Sequence, residues 1–167
     1  WNQGDLDPVA RQHLLAIAYE WQATAHIPAE IVKDIIITGG NCNFNYTDES
    51  DIDVHIVANL DKMPFTDDDV MVDYIKTKKD IWAERHKHIS VKGYPVELYA
   101  QDVDVKYPKD QGVYSILYNK WLVEPQYHTD INYEDPEFIA KVEGFIKRIN
   151  KALKNKVSIE DAKEIKK

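Results

Sequence analysis

Residues 35–57 read IIITGGNCNFNYTDESDIDVHIV and carry the strongest structural signal in the chain. The run Ile35–Thr38 is rich in β-branched side chains, which is typical of a buried strand, and the glycine pair after it ends that strand. Residues 41–50 hold too many Asn, Asp and Ser side chains for a helix, so we predict a loop there. The apolar run Ile52–Ala58 predicts a second strand.

Two acidic residues, Asp51 and Asp53, lie at the start of this second strand. Because successive residues of a strand point to opposite faces, Asp51, Asp53 and His55 share one face, and the aliphatic side chains share the other. The later run Val91–Tyr99 predicts a third strand, in which Glu97 also points away from the core. If the two strands are neighbours, Glu97 joins the two aspartates.

Three carboxylates within a few ångströms of one another repel, which raises the pKa of at least one of them. A divalent cation removes this repulsion, and a small cluster of oxygen ligands suits Mg²⁺ or Mn²⁺, which also bind phosphates. Two such ions side by side are the usual arrangement for attack at phosphorus. The alternative is that Asp51 and Asp53 only face water on a half-exposed strand, and the pair alone does not exclude this.

Periodicity and capping signals place the other elements around this stretch. Residues 103–135 show no clear period, and Ser158 is a candidate cap for a short last helix. The predicted elements are a helix at Pro8–Trp21, a short segment at Ala29–Asp34, strands at Ile35–Thr38, Ile52–Ala58 and Val91–Tyr99, a helix from a capping pattern at Thr66 to about His88, and a helix at Pro136–Leu153.

The overall composition limits the classes of protein to consider. The chain has 167 residues, which favours a single domain, and its net charge of −8 argues against tight non-specific binding of nucleic acid. The lone cysteine, Cys42, suits a reducing, cytoplasmic compartment. No apolar stretch approaches the ~20 residues of a membrane span, so we expect no membrane partner. The sequence begins at Trp1 without Met, which suggests a piece of a longer protein.

The order of these features resembles the catalytic signature of the DNA polymerase beta-like nucleotidyltransferase superfamily. The residues that carry the likeness are Thr38-Gly39-Gly40, Ser50-Asp51-Ile52-Asp53-Val54 about ten residues later, and a third acid, Glu97, within Val96-Glu97-Leu98-Tyr99. The likeness covers about residues 30–102. The local sequences at Asn43–Thr47 and Gly112–Ser115 look similar to those of small uncharacterised phage-encoded nucleotidyltransferases. That likeness implies that the protein acts in the cytoplasm of the host.

The resemblance implies an α+β fold, with a small mixed β-sheet, helices packed mainly on one face, and further helices in a C-terminal part at about residues 103–167. It implies a transferase that binds ATP or another nucleoside triphosphate. An acceptor hydroxyl attacks the α-phosphorus, and pyrophosphate leaves. The catalytic, metal-binding residues implied are Asp51, Asp53 and Glu97, with two Mg²⁺ or Mn²⁺ ions, and Glu97 serves the acceptor side. The nucleotide-binding residues implied are Gly39 and Gly40, which would hold the triphosphate tail, and we expect Asn41, Ser50 and His55 to bind the nucleotide beside them. His55, on the same face as the acids, could also ligate a metal or be only a polar residue on an exposed face.

The chain departs from the family pattern in lacking an arginine shortly after the glycine pair. Phosphate charge would then be neutralised by the ions, by backbone N–H groups, or by one of five more distant side chains. Those candidates are His86, Lys87, His88, Lys92 and Lys120. This departure keeps a second hypothesis open, in which the chain is a weakly active or inactive module that binds a nucleotide or a protein, such as a phage regulator of host signalling.

Three further expectations concern the surroundings of the acids. Tyr99 beside Glu97 could stack on a base or simply pack. Asn43, Phe44 and Tyr46 could form a wall for the nucleotide or the acceptor. The acceptor itself could be a small molecule, a protein side chain or an RNA end, and the acidic charge favours the first two.

Overall fold

A computed structural model of the chain describes residues 1–2, 4–65, 67–87, 89–127 and 132–154. The chain divides into two compact units, Trp1–Tyr127 and His128–Lys167. The first unit contains a six-stranded mixed sheet with two α-helices, and the described part of the second contains one α-helix. This arrangement confirms the predicted α+β class.

The elements follow one another along the chain with short connections. One-turn 3₁₀ helices lie at Ala29–Ile31, Gly40–Cys42 and Leu60–Lys62. The α-helices are α1 (Pro8–Thr24), α2 (Asp68–Arg85) and α3 (Pro136–Lys154). The strands are β1 (Val32–Thr38), β2 (Ile52–Ala58), β3 (Ser90–Val91), β4 (Tyr94–Asp102), β5 (Val113–Ser115) and β6 (Lys120–Val123).

The sheet has the order β3-β4-β2-β1-β5-β6, and its neighbouring strands β2 and β4 run parallel. The other neighbouring pairs are antiparallel. A parallel pair needs a crossover connection, and here α2 lies within that connection between β2 and β4. The two strands that carry the acidic residues are therefore direct neighbours.

Side-chain caps explain where the first two helices begin. The Asp7 carboxylate accepts a hydrogen bond of 2.8 Å from the Ala10 N–H, and Pro8 occupies the first helical position. Helix α2 begins at Asp68, and the Asp67 carboxylate caps it by accepting from the N–H groups of two following residues. The predicted start at Thr66 was therefore early, and both Thr66 and His88 lie outside the described residues.

The two faces of the sheet have different character. One face, which we call the helix face, contributes aliphatic side chains to the main core together with buried residues of α1 and α2. These aliphatic side chains include Ile35, Ile37, Val54, Ile56 and Leu98, and the helix residues include Leu14, Ala18, Trp21 and Trp82. The opposite face, which we call the acidic face, holds a small cluster of Ile36, Val57 and Val113 beside its polar residues.

Strands β5 and β6 were not predicted, because runs of three and four residues are too short to show a period of two. They are held in place by aromatic packing: the Tyr114 side chain is fully buried, and its ring meets the rings of Trp1 and Trp121 edge-on. The segment Ala29–Asp34 is helical only in its first three residues, because β1 already starts at Val32. Ser158 lies outside the described residues.

Among the residues that the structure describes, no helix has both the length and the apolar character that crossing a membrane requires.

Candidate metal centre

The register of the parallel pair brings the acidic residues together. Asp53 on β2 lies opposite Glu97 on β4, and Asp51 directly precedes β2. Each of the three residues offers one carboxylate oxygen, and these oxygens all lie within 4.8 Å of one another. The prediction that Glu97 joins Asp51 and Asp53 is confirmed as a matter of position, whereas their role as metal ligands stays a prediction.

The Glu97 carboxylate is held from two sides. Its Oε2 accepts a hydrogen bond of 2.6 Å from the Tyr99 hydroxyl and lies 3.5 Å from the Lys79 Nζ. The same Lys79 ammonium lies 3.4 Å from the centre of the Tyr99 ring. Burial raises the pKa of Tyr99, and its hydrogen bond to Glu97 raises it further. The phenol therefore stays protonated and serves as a hydrogen-bond donor to Glu97.

Gly39 is required by the position of Asp53. Its backbone has φ +74° and ψ −159°, a conformation that is essentially restricted to glycine. A Cβ atom at this position would overlap Oδ2 of Asp53 and lie 3.0 Å from its Cγ. The backbone of Gly39 therefore forms one wall of the site, directly against the carboxylate.

The next two predicted nucleotide contacts, Gly40 and Asn41, begin the 3₁₀ turn at Gly40–Cys42. A Cβ atom at Gly40 would make only an ordinary contact, 3.5 Å from Ser50 Oγ. The Asn41 amide donates a hydrogen bond of 2.6 Å to the Asp51 carbonyl. This amide is used to fix the loop beside Asp51, so its predicted contact with a nucleotide stays a prediction.

Ser50 and Asn43 also brace this loop. Ser50 Oγ accepts a hydrogen bond of 2.9 Å from the Thr47 N–H. The Asn43 amide donates to the Gly39 carbonyl at 2.7 Å, and its Oδ1 accepts from the Gly112 N–H at 2.9 Å. Asn43 therefore connects the asparagine-rich loop by hydrogen bonds to Gly39 on one side and to Gly112 on the other. The sequence did not predict this role for Asn43.

A cleft of about 340 Å³ opens on the acidic face beside Asp53. Gly39 and His55 line it, together with Tyr99, Gln101, Lys106 and Tyr107. His55 Nδ1 and Gln101 Oε1 lie 2.7 Å apart, and the His55 ring lies 4.9 Å from the Tyr99 ring. Burial lowers the pKa of His55, and the positive charge of Lys79 lowers it further, although the hydrogen bond with Gln101 opposes this change.

Phe44 and Tyr46 line a different cavity, of about 610 Å³, together with Trp1 and Trp121. Neither residue is among those that line the cleft at Asp53. The structure therefore does not bring the predicted aromatic wall together with His55 and Gly39.

The cations proposed to neutralise phosphate charge have other partners. Lys87 pairs with Glu84 at 2.7 Å, and Lys92 pairs with Asp7 at 3.6 Å. His86 stacks on Trp82, and the Lys120 Nζ lies 5.9 Å from the Tyr118 ring. None of these four lines the cleft at Asp53, and His88 lies outside the described residues.

The structure instead places two other lysines at the site. Lys79 contacts Glu97, and Lys106 lines the cleft. Gln101, also missed, could have been found by extending the third strand, because Glu97, Tyr99 and Gln101 alternate on one face of β4. Lys79 and Lys106 had no such signal, since they come from α2 and from the segment after β4.

The chain matches no protein-family model, no curated protein and no solved structure. The donor set of the acidic cluster and its surroundings are therefore what indicates a function. That set consists of three carboxylates, which are hard oxygen donors of the kind that Mg²⁺ and Mn²⁺ prefer. A glycine backbone and a cleft lined by a lysine lie directly beside them.

Proposed function

We propose that the chain is a metal-dependent nucleotidyltransferase with the nucleotidyltransferase fold, which transfers a nucleoside monophosphate from a nucleoside triphosphate to an acceptor hydroxyl. The observation that carries the proposal is the contact of Asp53 with Gly39 at the rim of the cleft, in register with Glu97. The strand end at Gly39 exposes backbone without a side chain, and clustered carboxylates lie beside it. Backbone N–H groups can bind phosphate oxygens, and the carboxylates can bind divalent ions that also contact the phosphates.

In this proposal Asp51, Asp53 and Glu97 hold one or two Mg²⁺ or Mn²⁺ ions. Bound there, the ions would neutralise phosphate charge and lower the pKa of the acceptor hydroxyl. Because Gly39 has no side chain, the Asp53 carboxylate packs directly against its backbone, in the space that a Cβ atom would otherwise need. Asn41 and Ser50 act indirectly, by fixing the loop that ends at Asp51.

At phosphorus the reaction forms one bond and breaks one, and one proton is transferred from the acceptor. The acceptor oxygen attacks the α-phosphorus and forms a new P–O bond, while the bond between the α-phosphorus and the bridging oxygen breaks and pyrophosphate leaves with that electron pair. The acceptor proton passes to a carboxylate, and Glu97 is the residue proposed to take it. Tyr99 stays protonated and orients the Glu97 carboxylate through its 2.6 Å hydrogen bond.

Lys106 takes the place of the arginine that the chain lacks. It lines the cleft that also contains Asp53 and Gly39, so its ammonium is available to a phosphate group there. His55 is held by Gln101 with its pKa lowered, so a neutral ring borders the same cleft. A neutral imidazole can contact a sugar or a base without adding charge.

A second candidate function is an inactive module that binds a nucleotide or a protein. The contacts of Glu97 with Lys79 and Tyr99 favour it, since a carboxylate already paired with a lysine is less available to an ion. The two functions differ in what the aspartates do. In an enzyme they are needed for metal-dependent binding and turnover, whereas in an inactive module their removal relieves repulsion and leaves partner binding intact.

Calorimetric titration of ATP, GTP, CTP and UTP into the protein, with Mg²⁺ or with EDTA, tests the proposal. We expect one or more of the four to bind only when Mg²⁺ is present, and binding to disappear in Asp51→Asn/Asp53→Asn. The matched control is Asp73→Asn/Asp80→Asn, which makes the same change in charge at two exposed positions of α2. This control should bind like the unmodified protein.

Two results would count against the enzyme. If no triphosphate binds with Mg²⁺, or if binding persists in Asp51→Asn/Asp53→Asn, the acids do not hold a metal–nucleotide complex. Binding without release of labelled pyrophosphate, across a panel of hydroxyl acceptors, would favour the inactive module.

A further inference from the structure

A third cavity, which we call the α2 groove, lies between α2 and β4. Its volume is about 270 Å³. Leu60, Met71, Val72 and Ile75 form its apolar walls, and Lys76 and Lys79 line it as well. The cleft at Asp53 is separate from it, although Tyr99 lines both cavities.

The α2 groove adjoins the carboxylate that the proposed reaction assigns to the acceptor. Two of its lining residues, Lys79 and Tyr99, both contact Glu97 Oε2, at 3.5 Å and 2.6 Å. A molecule in the groove would therefore be separated from Glu97 only by the side chains of Lys79 and Tyr99. The cleft on the other side of Tyr99 contains Asp53 and Gly39, where the triphosphate is proposed to bind.

The lining of the α2 groove combines exposed apolar surface with positive charge. Val72 is 59% exposed, so apolar surface is open to solvent beside the carboxylates. The two charged residues of the lining are both lysines, whereas the whole chain has a net charge of −8. Apolar walls with two ammonium groups and no acid complement a ligand that has an apolar body and a negative charge.

We propose that the α2 groove is the acceptor site, and that the acceptor is a small hydroxyl compound with an apolar body and an anionic group. This inference rests on the proposed nucleotidyltransferase function. The apolar body lies against Val72 and Ile75, and the anionic group pairs with Lys76 and Lys79. The hydroxyl is directed past Tyr99 toward Glu97.

Pairing with the acceptor also changes the surroundings of Glu97. The Lys79 ammonium is shared between Glu97 and the ring of Tyr99. An anionic group in the groove draws the Lys79 ammonium away, because the two negative groups compete for one cation. The Glu97 carboxylate is then no longer paired with Lys79 and can bind a divalent ion more tightly, so the acceptor and the ion bind with positive cooperativity.

Two matched pairs of probes test the chemistry of the ligand by calorimetry. The aromatic pair is 4-hydroxyphenylacetate and its neutral amide, and the aliphatic pair is 6-hydroxyhexanoate and its neutral amide. We expect at least one anion to bind saturably, and to bind about 5-fold or more tightly than its amide. Saturating Mn²⁺ should strengthen the binding of that anion about 2- to 5-fold.

Variants of α2 locate the site. Val72→Asp places a carboxylate in the wall of the groove and should weaken the anion about 10-fold or more. Val70→Asp is the matched control, since Val70 is 55% exposed on the same helix and is not among the residues that line the groove. Lys76→Met should weaken the anion about 2- to 5-fold, and Lys62→Met, an equal change of charge outside the groove, should leave it unchanged.

The outcomes separate this inference from the proposed function. Three results would overturn the α2 groove as a site for this ligand class, even if triphosphates bind. They are the absence of saturable binding by either anion, equal binding of anion and amide, and equal effects of Val72→Asp and Val70→Asp. If the probes behave as expected but no triphosphate binds with Mg²⁺, the acceptor role is overturned together with the proposed function.

Discussion

Asp53 and Glu97 are register partners on the parallel strands β2 and β4, and both side chains lie on the acidic face of the sheet. Parallel neighbours keep equivalent residues side by side along the whole pair, so this proximity is set by backbone pairing. Asp51 joins them because it lies two residues before Asp53, on the same face. The cluster is therefore part of the sheet's framework, and changes in the adjacent backbone should alter it strongly.

Gly39→Ala should remove divalent ion binding and destabilise the fold. The added Cβ atom meets the Asp53 carboxylate, and alanine must also adopt the positive φ of 74°. We expect the free energy of unfolding to fall by about 2–3 kcal/mol. Urea unfolding and Mn²⁺ titration measure the two effects.

Gly93→Ala is the control for Gly39→Ala, because Gly93 has a positive φ of 91° and nothing within 4 Å of an added Cβ atom. It should lose about 1 kcal/mol of stability from backbone conformation alone and keep its affinity for Mn²⁺. If Gly39→Ala also keeps that affinity, the close contact with Asp53 does not matter for the ion.

Lys79→Met should tighten the binding of Mn²⁺ about 3- to 10-fold. The Lys79 ammonium lies 3.5 Å from Glu97 Oε2 and competes with an ion for this carboxylate, and both side chains are partly exposed, which limits the effect. Lys78→Met is the matched control, since Lys78 lies over the Tyr74 ring on the same helix. Equal Mn²⁺ affinities in both variants would show that Lys79 does not compete.

Asp34→Asn should stabilise the protein more at pH 7.5 than at pH 4.5. Burial raises the pKa of Asp34 above its ordinary value of 3.8, and this effect outweighs the hydrogen bonds from Ser115 and from the Ile35 N–H. The folded state therefore binds the Asp34 proton more tightly than the unfolded state, so this group's contribution to stability falls as pH rises through its folded pKa.

Asparagine at position 34 keeps the Oδ1 acceptor for both of these hydrogen bonds but cannot ionise. The difference in unfolding free energy between Asp34→Asn and the unmodified protein should therefore grow from pH 4.5 to pH 7.5 in urea titrations. The opposite trend, or a constant difference, would contradict the raised pKa.

Cys42 should react slowly with a disulfide reagent until the protein unfolds. Its side chain is 1% exposed, and burial raises the pKa of the thiol to about 12, so little thiolate forms at pH 8. We expect a rate with Ellman's reagent at least about 100-fold below that in 6 M urea. Because Cys42 is the one cysteine in the sequence, Cys42→Ser provides the blank.

The face on which each of the three acids lies could be predicted because it depends on one local rule, whereas the pairing of β2 with β4 that joins them depends on the sheet topology. Alternation along a strand assigns Asp51, Asp53 and Glu97 to one side, and the aliphatic residues between them assign the core to the other. The same rule, extended two residues further along β4, would have included Gln101. Gly39 was also within reach, since a glycine that ends a strand signals an unusual backbone or a close approach.

The surroundings of the acids could not be predicted in this way. Lys79 reaches Glu97 from α2 and Lys106 reaches the cleft from the segment after β4, so both depend on how elements pack rather than on spacing within one element. The loop amides of Asn41 and Asn43 form hydrogen bonds with backbone groups distant in sequence, which composition alone cannot assign.

The crossover between β2 and β4 has a consequence for how the protein reaches its native state. The carboxylates of Asp53 and Glu97 meet only when β4 aligns beside β2, so their mutual repulsion opposes this long-range step of folding. A divalent ion that binds only the assembled cluster would favour that step by mass action. If the proposed ion binds there, it would also determine how completely freshly made chains pair β2 with β4.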